Sequence, residues 1–359
     1  MTMNFDRPRD GRDLPAVLAI DAGNTKTDAA LVNSDGTLLA SARGPGLRPP
    51  IDSESSLRAL SKLVERVRQQ AGRDGPPVAR HVSACMANLD FEEEEERLAL
   101  ELAARGWGVT VKAVNDTFAV LRAGLDLSAE QAAAGETRNA SARPWGVAVV
   151  CGTGINCVGV HPSGRLFRFL ALGDISGDWG GGGFLGRAAL WSAIRAEDGR
   201  GADTSLRDAV AARFGVACVH DLAIALYRGE VESSRLSQLA PLVLAAAGTD
   251  DLVARKLVVR LAREVATMAL VAIRRLDLAL CDTPVILGGG VLTSNDALLI
   301  GRIRTQIAAE IPRAQVSIVT VPPVAGAALL GLDYIGAAPQ AERPLRAAYG
   351  KTRQAAVDG

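Results

Sequence analysis

The sequence predicts a mixed α/β protein made of two related domains, and three observations support this prediction. The chain has 359 residues, more than the roughly 250 to 300 at which a single core stops growing. A strand, a glycine-containing turn, a hairpin and then helices occur in that order from residue 16, and the same order returns from residue 145. A polar stretch without pattern separates the two copies. We therefore expect one architecture to be used twice.

The expected domain boundaries follow from the same patterns. The first domain covers residues 15–125, a hinge covers 126–144, and the second domain covers 145–337. Residues 1–14 and 338–359 are polar and lack a sustained apolar pattern, so both ends are predicted to be flexible tails. The last helix of the second domain could pack back on the first.

The first domain opens with a predicted three-stranded antiparallel unit. The apolar run AVLAIDAG (16–23) ends in Asp and Gly, and residues 28–44 predict two strands around an Asp-Gly turn. Apolar residues then recur every three or four positions over 55–70, as in an amphipathic helix. The run Glu92 to Glu96 is interpreted as a solvated helix start, where carboxylates favour the positive end of the dipole. The remaining elements are strands at 81–87 and 109–116 and a helix at 91–106.

The second domain repeats this opening. Residues 145–154 predict a strand that ends in a glycine turn, and 156–170 predict a hairpin around Pro-Ser-Gly. It closes with a strand entering a glycine turn (283–294), a strand at 317–321 and a helix of small residues from Pro323. Between them, helices are predicted near 184–196, 205–213, 219–227, 235–247 and 250–276.

Composition favours a small ligand over a macromolecular partner. The chain has 40 basic and 40 acidic residues and 4% aromatic residues, so it has neither the basic excess nor the stacking surface of a nucleic-acid binder. The apolar stretches are interrupted by charges before about 18 residues, so no membrane span is expected. The five cysteines form no CxxC pair and predict no disulfide framework and no zinc or iron–sulfur site. We expect a cytoplasmic protein.

The first glycine turn, residues 21–27 (DAGNTKT), lies between two predicted strands. Glycine lets a backbone approach a phosphate closely, and exposed N–H groups with a Thr hydroxyl can bind it. Asp21 at the strand end could hold Mg²⁺, and Lys26 could reach a phosphate. The candidate nucleotide-binding residues of this turn are Gly23, Asn24, Thr25, Lys26 and Thr27.

Two further glycine segments lie in the second domain. The second glycine turn, residues 151–154 (CGTG), takes the equivalent place between strands. Because a hairpin rather than a helix follows each turn, the Walker and Rossmann motifs are excluded. The third glycine segment, residues 286–291 (ILGGGV), is suited to a flat adenine lying on bare backbone. Their candidate nucleotide-binding residues are Gly152, Thr153, Gly154, Gly288, Gly289 and Gly290.

Asp116 is the candidate for chemistry, because it stands where a strand ends and a helix begins. A carboxylate there can accept the proton of an attacking hydroxyl. It could equally cap the helix starting at Thr117, and spacing alone leaves both roles open.

Four motifs together resemble the BadF/BadG/BcrA/BcrD-type ATPase family, a branch of the actin, sugar kinase and heat-shock-protein ATPase superfamily that includes N-acetylglucosamine kinase. They are GNTKT (23–27), VND (114–116), GTGINC (152–157) and LGDISGDWG (172–180), and the resemblance covers roughly residues 15–337.

The resemblance implies two ribonuclease H-like domains of actin type with a nucleotide cleft between them, ATP and Mg²⁺ as cofactors, and often a homodimer. It implies an ATP-dependent kinase that phosphorylates a hydroxyl of an amino sugar or hexose, first of all N-acetylglucosamine to its 6-phosphate. Asp116 matches the general base of the kinases, and Asp178 matches a carboxylate that binds sugar hydroxyls. The other implied sugar-binding residues are Asn115, Asn156 and Gly173.

Two departures from the family pattern bear on the substrate. The family tryptophan before Gly173 is Leu172 here, and the loop GPGLRPP (44–50) has no Asn where the kinases present one to the sugar. Arg48 in that loop would suit an acidic or differently substituted sugar. Two alternatives remain open: an ATPase that activates an iron–sulfur dehydratase or reductase, and a non-catalytic sugar- or nucleotide-binding regulator. For the regulator, the segment before the first strand is too short for a helix-turn-helix.

Overall fold

The structure is a computed structural model that describes residues 14–127 and 144–357. The predicted N-terminal tail (1–14) and hinge (126–144) lie almost entirely outside these residues. The chain divides into two compact units: unit 1 is Met1–Ala142 with Val321–Gly359, and unit 2 is Arg143–Thr320.

Unit 1 is built on a five-stranded sheet in the order β3-β2-β1-β4-β5. The first three strands form an antiparallel meander, whereas β4 and β5 run parallel to β1. The strands are β1 (Val17–Ala22), β2 (Lys26–Val32), β3 (Leu38–Pro45), β4 (Ala79–Met86) and β5 (Gly108–Asn115). The helices that follow β3, β4 and β5 are α1 (Glu54–Gln70), α2 (Glu92–Ala103) and α3 (Asp116–Gly124).

Unit 2 has the same topology. Its strands are β6 (Gly146–Cys151), β7 (Ile155–Val160), β8 (Leu166–Arg168), β9 (Pro284–Gly288) and β10 (Gln315–Ile318), in the order β10-β9-β6-β7-β8. The antiparallel pairs β6–β7–β8 and the parallel pairs β6–β9–β10 reproduce those of unit 1. The prediction that one architecture is used twice is therefore confirmed. The helices of unit 2 are α4 (Gly181–Glu197), α5 (Leu206–Phe214), α6 (Val219–Tyr227), α7 (Ala240–Ala247), α8 (Leu252–Arg275) and α9 (Ala297–Glu310).

The central strand β1 is buried along its whole length because helices cover both faces of its sheet. Alternate side chains of a strand point to opposite faces. Leu18 and Ile20 therefore enter the core that contains the apolar stripe of α1, while Val17 and Ala19 enter a second core on the other face. A strand buried on both sides has a continuous apolar sequence, which is what VLAIDA shows until its aspartate.

Two helices after unit 2 return to unit 1: α10 (Pro323–Tyr334) and α11 (Glu342–Val357). α10 contributes many of the side chains of the second core. Its small residues allow it to pack closely against α3, since a Cβ on Gly326 would lie 1.9 Å from the carbonyl oxygen of Ala119. The prediction of a flexible tail over residues 338–359 is wrong, because most of this segment forms helix α11. Among the residues of this segment whose burial is described, Leu345 and Tyr349, four residues apart on α11, join Ala341 in the second core. So short an apolar stripe in a polar segment does not predict a helix.

Among the described residues, no single helix combines the length and the apolar composition of a membrane span. The pair α5 and α6 meets both criteria only when the two helices, bent by 52°, are taken together.

Candidate active site

The first glycine turn closes the hairpin between β1 and β2. The Gly23 N–H donates to the Lys26 carbonyl at 2.9 Å, and the Asn24 side chain accepts from the Asn88 amide at 2.9 Å. A Cβ on Gly23 would meet only the Lys26 carbonyl oxygen, at an ordinary 3.6 Å. The protein itself therefore does not require glycine there, whereas a ligand that approaches the bare backbone would.

The predicted phosphate-binding side chains of this turn differ in exposure. Thr25, in the middle of the turn, is exposed. The Lys26 ammonium lies 3.1 Å from an Asp28 oxygen and its side chain is 43% exposed, so it can still reach an anion. Thr27 is buried and its hydroxyl donates to the Pro45 carbonyl at 2.8 Å. The structure thus places Thr27 in the hairpin itself.

Two other carboxylates of unit 1, those of Asp116 and Asp28, act on the carboxyl group of Asp21 near the end of β1. Burial, followed by the charges of Asp116 and Asp28, raises the pKa of Asp21 to about 8, against the smaller opposite effects of Lys26 and Arg43. Asp28 is itself bound by Arg43, at 2.6 Å and 3.1 Å. Negative charge at Asp21 is therefore undercompensated by the protein, and a divalent cation with oxygen ligands fits this donor set.

Asp116 is the first residue of α3, and Asn115 is the residue that caps the helix. The Asn115 side-chain oxygen accepts from the Thr117 N–H at 3.0 Å and from its hydroxyl at 2.7 Å. The sequence left open whether Asp116 caps α3 or acts as a base. Because Asn115 is the cap, the role of a base remains for the Asp116 carboxylate. Burial raises the pKa of Asp116 to about 6, although the first-turn amides of Asp116 and Thr117 pull it down.

Asn115, predicted to bind sugar, is 3% exposed and engaged within the protein. Its amide nitrogen donates to the Leu89 carbonyl and to an Asp90 carboxylate oxygen, both at 3.0 Å. Its backbone N–H donates to Glu95 at 2.9 Å. Glu95 is predicted from the sequence to belong to a solvated helix start, and its burial shows that this prediction is wrong. The available signal was its spacing, since Glu95, Leu98 and Leu102 form the buried face of α2.

The second glycine turn closes the hairpin between β6 and β7 and rests on the start of α4. The N–H groups of Gly182 and Gly183 donate to the carbonyls of Gly152 and Thr153, at 2.7 Å and 2.9 Å. A Cβ on Gly152 or Gly154 would have no neighbour within 4 Å. These two glycines face open space, so neither packing nor strain in unit 2 accounts for them.

The third glycine segment meets the second at the same end of the unit 2 sheet. Gly289 has a left-handed φ of +84°, and a Cβ on it would lie 2.5 Å from the Cys151 carbonyl oxygen. The Val291 N–H donates to that same carbonyl at 3.0 Å. Gly290, in contrast, has no neighbour where a Cβ would stand. Gly289 therefore has a structural role, and Gly290 joins Gly152 and Gly154 in presenting bare backbone at the ends of β9 and β6. Gly288 is the last residue of β9.

Asp178, predicted to bind sugar hydroxyls, is held within its own loop. One of its carboxylate oxygens accepts from the Ser176 hydroxyl at 2.6 Å and from the Gly173 N–H at 3.2 Å. Ser176 is not among the site residues predicted from the sequence. Asn156 lies on β7, and its side-chain oxygen accepts from the Cys157 N–H at 2.6 Å. Trp179 packs against the unit 2 core, and the Arg260 guanidinium lies 4.1 Å from its ring centroid, so it anchors the loop.

Comparison with known proteins identifies related chains. The model of the BadF/BadG/BcrA/BcrD ATPase family matches residues 18–331. An N-acetylmuramic acid/N-acetylglucosamine kinase from Clostridium acetobutylicum is 26% identical over 251 residues, 69% of this chain and 76% of that protein. An N-acetyl-D-glucosamine kinase from Dictyostelium discoideum is 24% identical over 326 residues, which cover 88% and 97% of the two chains.

Solved structures agree with the fold. A candidate N-acetylglucosamine kinase from Chromobacterium violaceum superposes with a TM-score of 0.64 at 25% identity, covering 89% of this chain and 99% of that one. A ROK family glucokinase from Streptomyces griseus, solved with glucose and AMPPNP, gives a TM-score of 0.55 at 18% identity over 89% and 98% of the chains. The second likeness concerns the fold alone, and with the first it confirms the predicted fold class.

Proposed function

Since the chain belongs to the BadF/BadG/BcrA/BcrD ATPase family, we propose that it is an ATP-dependent kinase that phosphorylates a hydroxyl of an amino sugar, in the first place N-acetylglucosamine. The observation that carries this proposal is the state of Asp116. Asn115 takes over the cap of α3, and the pKa of Asp116 near 6 leaves its carboxylate ionised at neutral pH but able to accept a proton.

In the proposed reaction the acceptor hydroxyl attacks the γ-phosphorus of ATP and gives its proton to the Asp116 carboxylate. The new O–P bond forms as the bond to the bridging oxygen breaks, and ADP leaves with that electron pair. Phosphoryl transfer depends mainly on position and on stabilisation of charge. The open space beside the backbone of Gly152 and Gly154 gives phosphate oxygens room to approach that turn, and Lys26 offers a positive charge.

Mg²⁺ belongs to this proposal, with Asp21 as the residue that would hold it. Burial raises its pKa, and the charges of Asp116 and Asp28 add to that effect; bound Mg²⁺ would supply charge neutralisation at the phosphates. Asp178, oriented by Ser176 and the Gly173 N–H, is proposed to accept hydrogen bonds from sugar hydroxyls.

Two observations bear on which sugar is phosphorylated. Arg48 is exposed in the loop 44–50, and one relative is named for N-acetylmuramic acid as well as N-acetylglucosamine. An acidic N-acetylated sugar is therefore the second substrate to consider. Among the alternatives, the iron–sulfur activator is less favoured because Cys85, Cys151 and Cys157 are buried, and burial raises the pKa of each thiol. This leaves the half-buried Cys218 and the exposed Cys281 as candidate cluster ligands.

The test is an acceptor screen with Mg-ATP that includes N-acetylglucosamine, glucosamine, N-acetylmuramic acid and glucose. ADP release and the mass of the sugar product are both measured, and Asp116→Asn is the matched control. We expect one amino sugar to yield a phosphate ester, and we expect the variant to bind ATP but to turn over at least about 100-fold more slowly. ADP release that is independent of every acceptor, or full activity of Asp116→Asn, would contradict the proposal.

A further inference from the structure

Glu95 is a carboxylate on the buried face of a helix. It lies in line with Leu98 and Leu102 on α2, and only 9% of its surface is exposed. Burial of a charged group is costly unless hydrogen bonds compensate for it. Glu95 accepts the backbone N–H of Asn115, at 2.9 Å, in a buried position. The side chain therefore has a specific task at the end of β5 and cannot be part of a solvated surface.

The end of β5 is also held from the loop after β4. The Leu89 carbonyl and the Asp90 carboxylate both accept from the Asn115 side chain. The loop itself is fixed to α2, because a Glu94 oxygen accepts from the N–H groups of Asp90 and Phe91, at 3.0 Å and 3.2 Å. Residues 88–95 thus form one support segment for Asn115, the residue directly before Asp116.

The same support segment reaches the first glycine turn. Asn88 has a left-handed φ of 63°, and its amide donates to the Asn24 side-chain oxygen. One segment therefore contacts both a nucleotide-binding turn and the start of α3. Asn88 at one end contacts the first glycine turn, and Glu95 at the other end contacts Asn115. A change at Asn88 should therefore affect the KM for ATP, whereas a change at Glu95 should affect kcat.

We propose that Glu95 is a positioning residue that fixes the start of α3 and thereby the direction of the Asp116 carboxylate. This inference rests on the proposed function, in which Asp116 accepts the proton of the acceptor. Glu95 is buried and accepts from the backbone of Asn115, so it acts on Asp116 through that residue. Loss of its acceptor oxygen should therefore lower kcat and leave both KM values nearly unchanged, since a small misplacement of a catalytic group can cost on the order of 100-fold in rate.

The experiment compares two substitutions of nearly equal size. Glu95→Met keeps the length of the side chain and removes the acceptor, whereas Glu95→Gln keeps an acceptor oxygen. Glu96→Met, on the exposed side of α2, is the control. We expect kcat to fall about 10- to 100-fold in Glu95→Met, to stay within about threefold of wild type in Glu95→Gln, and to be unchanged in Glu96→Met. Rates are normalised to the fraction of protein that binds an ATP analogue.

Several outcomes would overturn the inference. Wild-type kcat in folded Glu95→Met, or equal losses in the Met and Gln variants, removes the role of the acceptor oxygen. If Glu95→Met does not fold, Glu95→Asp retracts the acceptor by one methylene and is expected to give the same selective loss of kcat. If both are unfolded, or if Glu95→Asp has wild-type kcat, Glu95 does not position Asp116.

The Asp116→Asn variant separates this inference from the proposed function. An inactive Asp116→Asn together with a fully active Glu95→Met rejects only the positioning role. A fully active Asp116→Asn rejects the base itself, and the role of Glu95 falls with it. Asn88→Gly serves as a comparison at the other end of the support segment. Glycine adopts the left-handed backbone conformation readily, but the side-chain amide that donates to Asn24 is lost. It is expected to raise the KM for ATP without the loss of kcat that marks Glu95→Met.

Discussion

Arg122 in α3 forms two hydrogen bonds with the carboxylate of Asp333 in α10, although the two residues are 211 positions apart in the sequence. Nε donates to Oδ2 at 2.7 Å and Nη2 donates to Oδ1 at 3.3 Å. The same guanidinium donates to both carboxylate oxygens of Glu342 at the start of α11, at 3.0 Å and 3.2 Å. Arg122 and Glu342 are each 3% exposed. This buried network joins the C-terminal helices of unit 1 to the helix that carries Asp116.

Replacement of Arg122 by Met should strongly destabilise unit 1. Glu342 would remain buried with Arg346 as its cation, and removal of one partner from a buried ion pair costs about 3 kcal/mol or more. Urea unfolding followed by circular dichroism measures this loss. Arg58→Met, which removes an exposed pair with Glu54, should change the free energy of unfolding by less than about 0.5 kcal/mol. A loss below about 1 kcal/mol for Arg122→Met would mean that the network contributes little.

Two glycines of unit 2 should respond to alanine in opposite ways. A Cβ on Gly152 meets nothing within 4 Å, so Gly152→Ala should leave the free energy of unfolding unchanged. It should raise the Kd for ATP about tenfold, equivalent to about 1.4 kcal/mol of binding, because the methyl group occupies the space where phosphate approaches. Isothermal titration with an ATP analogue and thermal unfolding measure the two effects on one sample.

Gly289→Ala is the counterpart of that prediction. Its φ of +84° and the 2.5 Å approach of a Cβ to the Cys151 carbonyl oxygen predict strain and displacement of the turn. We expect a loss of at least about 2 kcal/mol in the free energy of unfolding. Equal stability of the two variants would show that the tight contact at Gly289 relaxes freely.

The repeated architecture could be predicted because its signals are local. Alternating polarity and glycine turns mark β1, β2, β6 and β7 within a few residues of sequence, and the three glycine segments follow directly from them. The polar partners could not be predicted in this way. Glu95 and Asn115 are 20 residues apart and Arg122 and Glu342 are 220 apart, and one sequence carries no signal that pairs such residues.

The helix α11 could not be predicted either, because distant contacts rather than its own apolar residues hold it in place. Its apolar contribution is small, and its position depends on Arg346, which donates to the carbonyls of Ala123 and Leu125 and to Glu342. A polar segment stabilised by contacts with a distant helix has the composition of a tail. Only the folded chain distinguishes the two.

Stability should fall as pH rises through the titration of Asp21. Its pKa in the folded protein is about 8, against an ordinary value of 3.8, so the folded state binds more protons than the unfolded chain between these values. The resulting stabilisation is complete below pH 3.8 and is lost as pH approaches 8. Thermal unfolding without nucleotide or Mg²⁺ should show a lower Tm at pH 8 than at pH 6. Asp21→Asn should reduce that difference, and the exposed Glu93→Gln should not.

The rate of phosphoryl transfer should follow the ionisation of Asp116. A general base acts in its deprotonated form, so kcat/KM for the acceptor should rise with pH and level off above the pKa of about 6. At one pH unit below that pKa the rate should be about tenfold below the plateau, because about a tenth of the carboxyl groups are ionised. The profile is measured at saturating Mg-ATP with the acceptor found in the screen. Asp116→Asn should lack the acidic limb and turn over at least about 100-fold more slowly, whereas Asp21→Asn should keep the limb near the same pH. A limb that survives in Asp116→Asn would assign it to another group and remove Asp116 as the base.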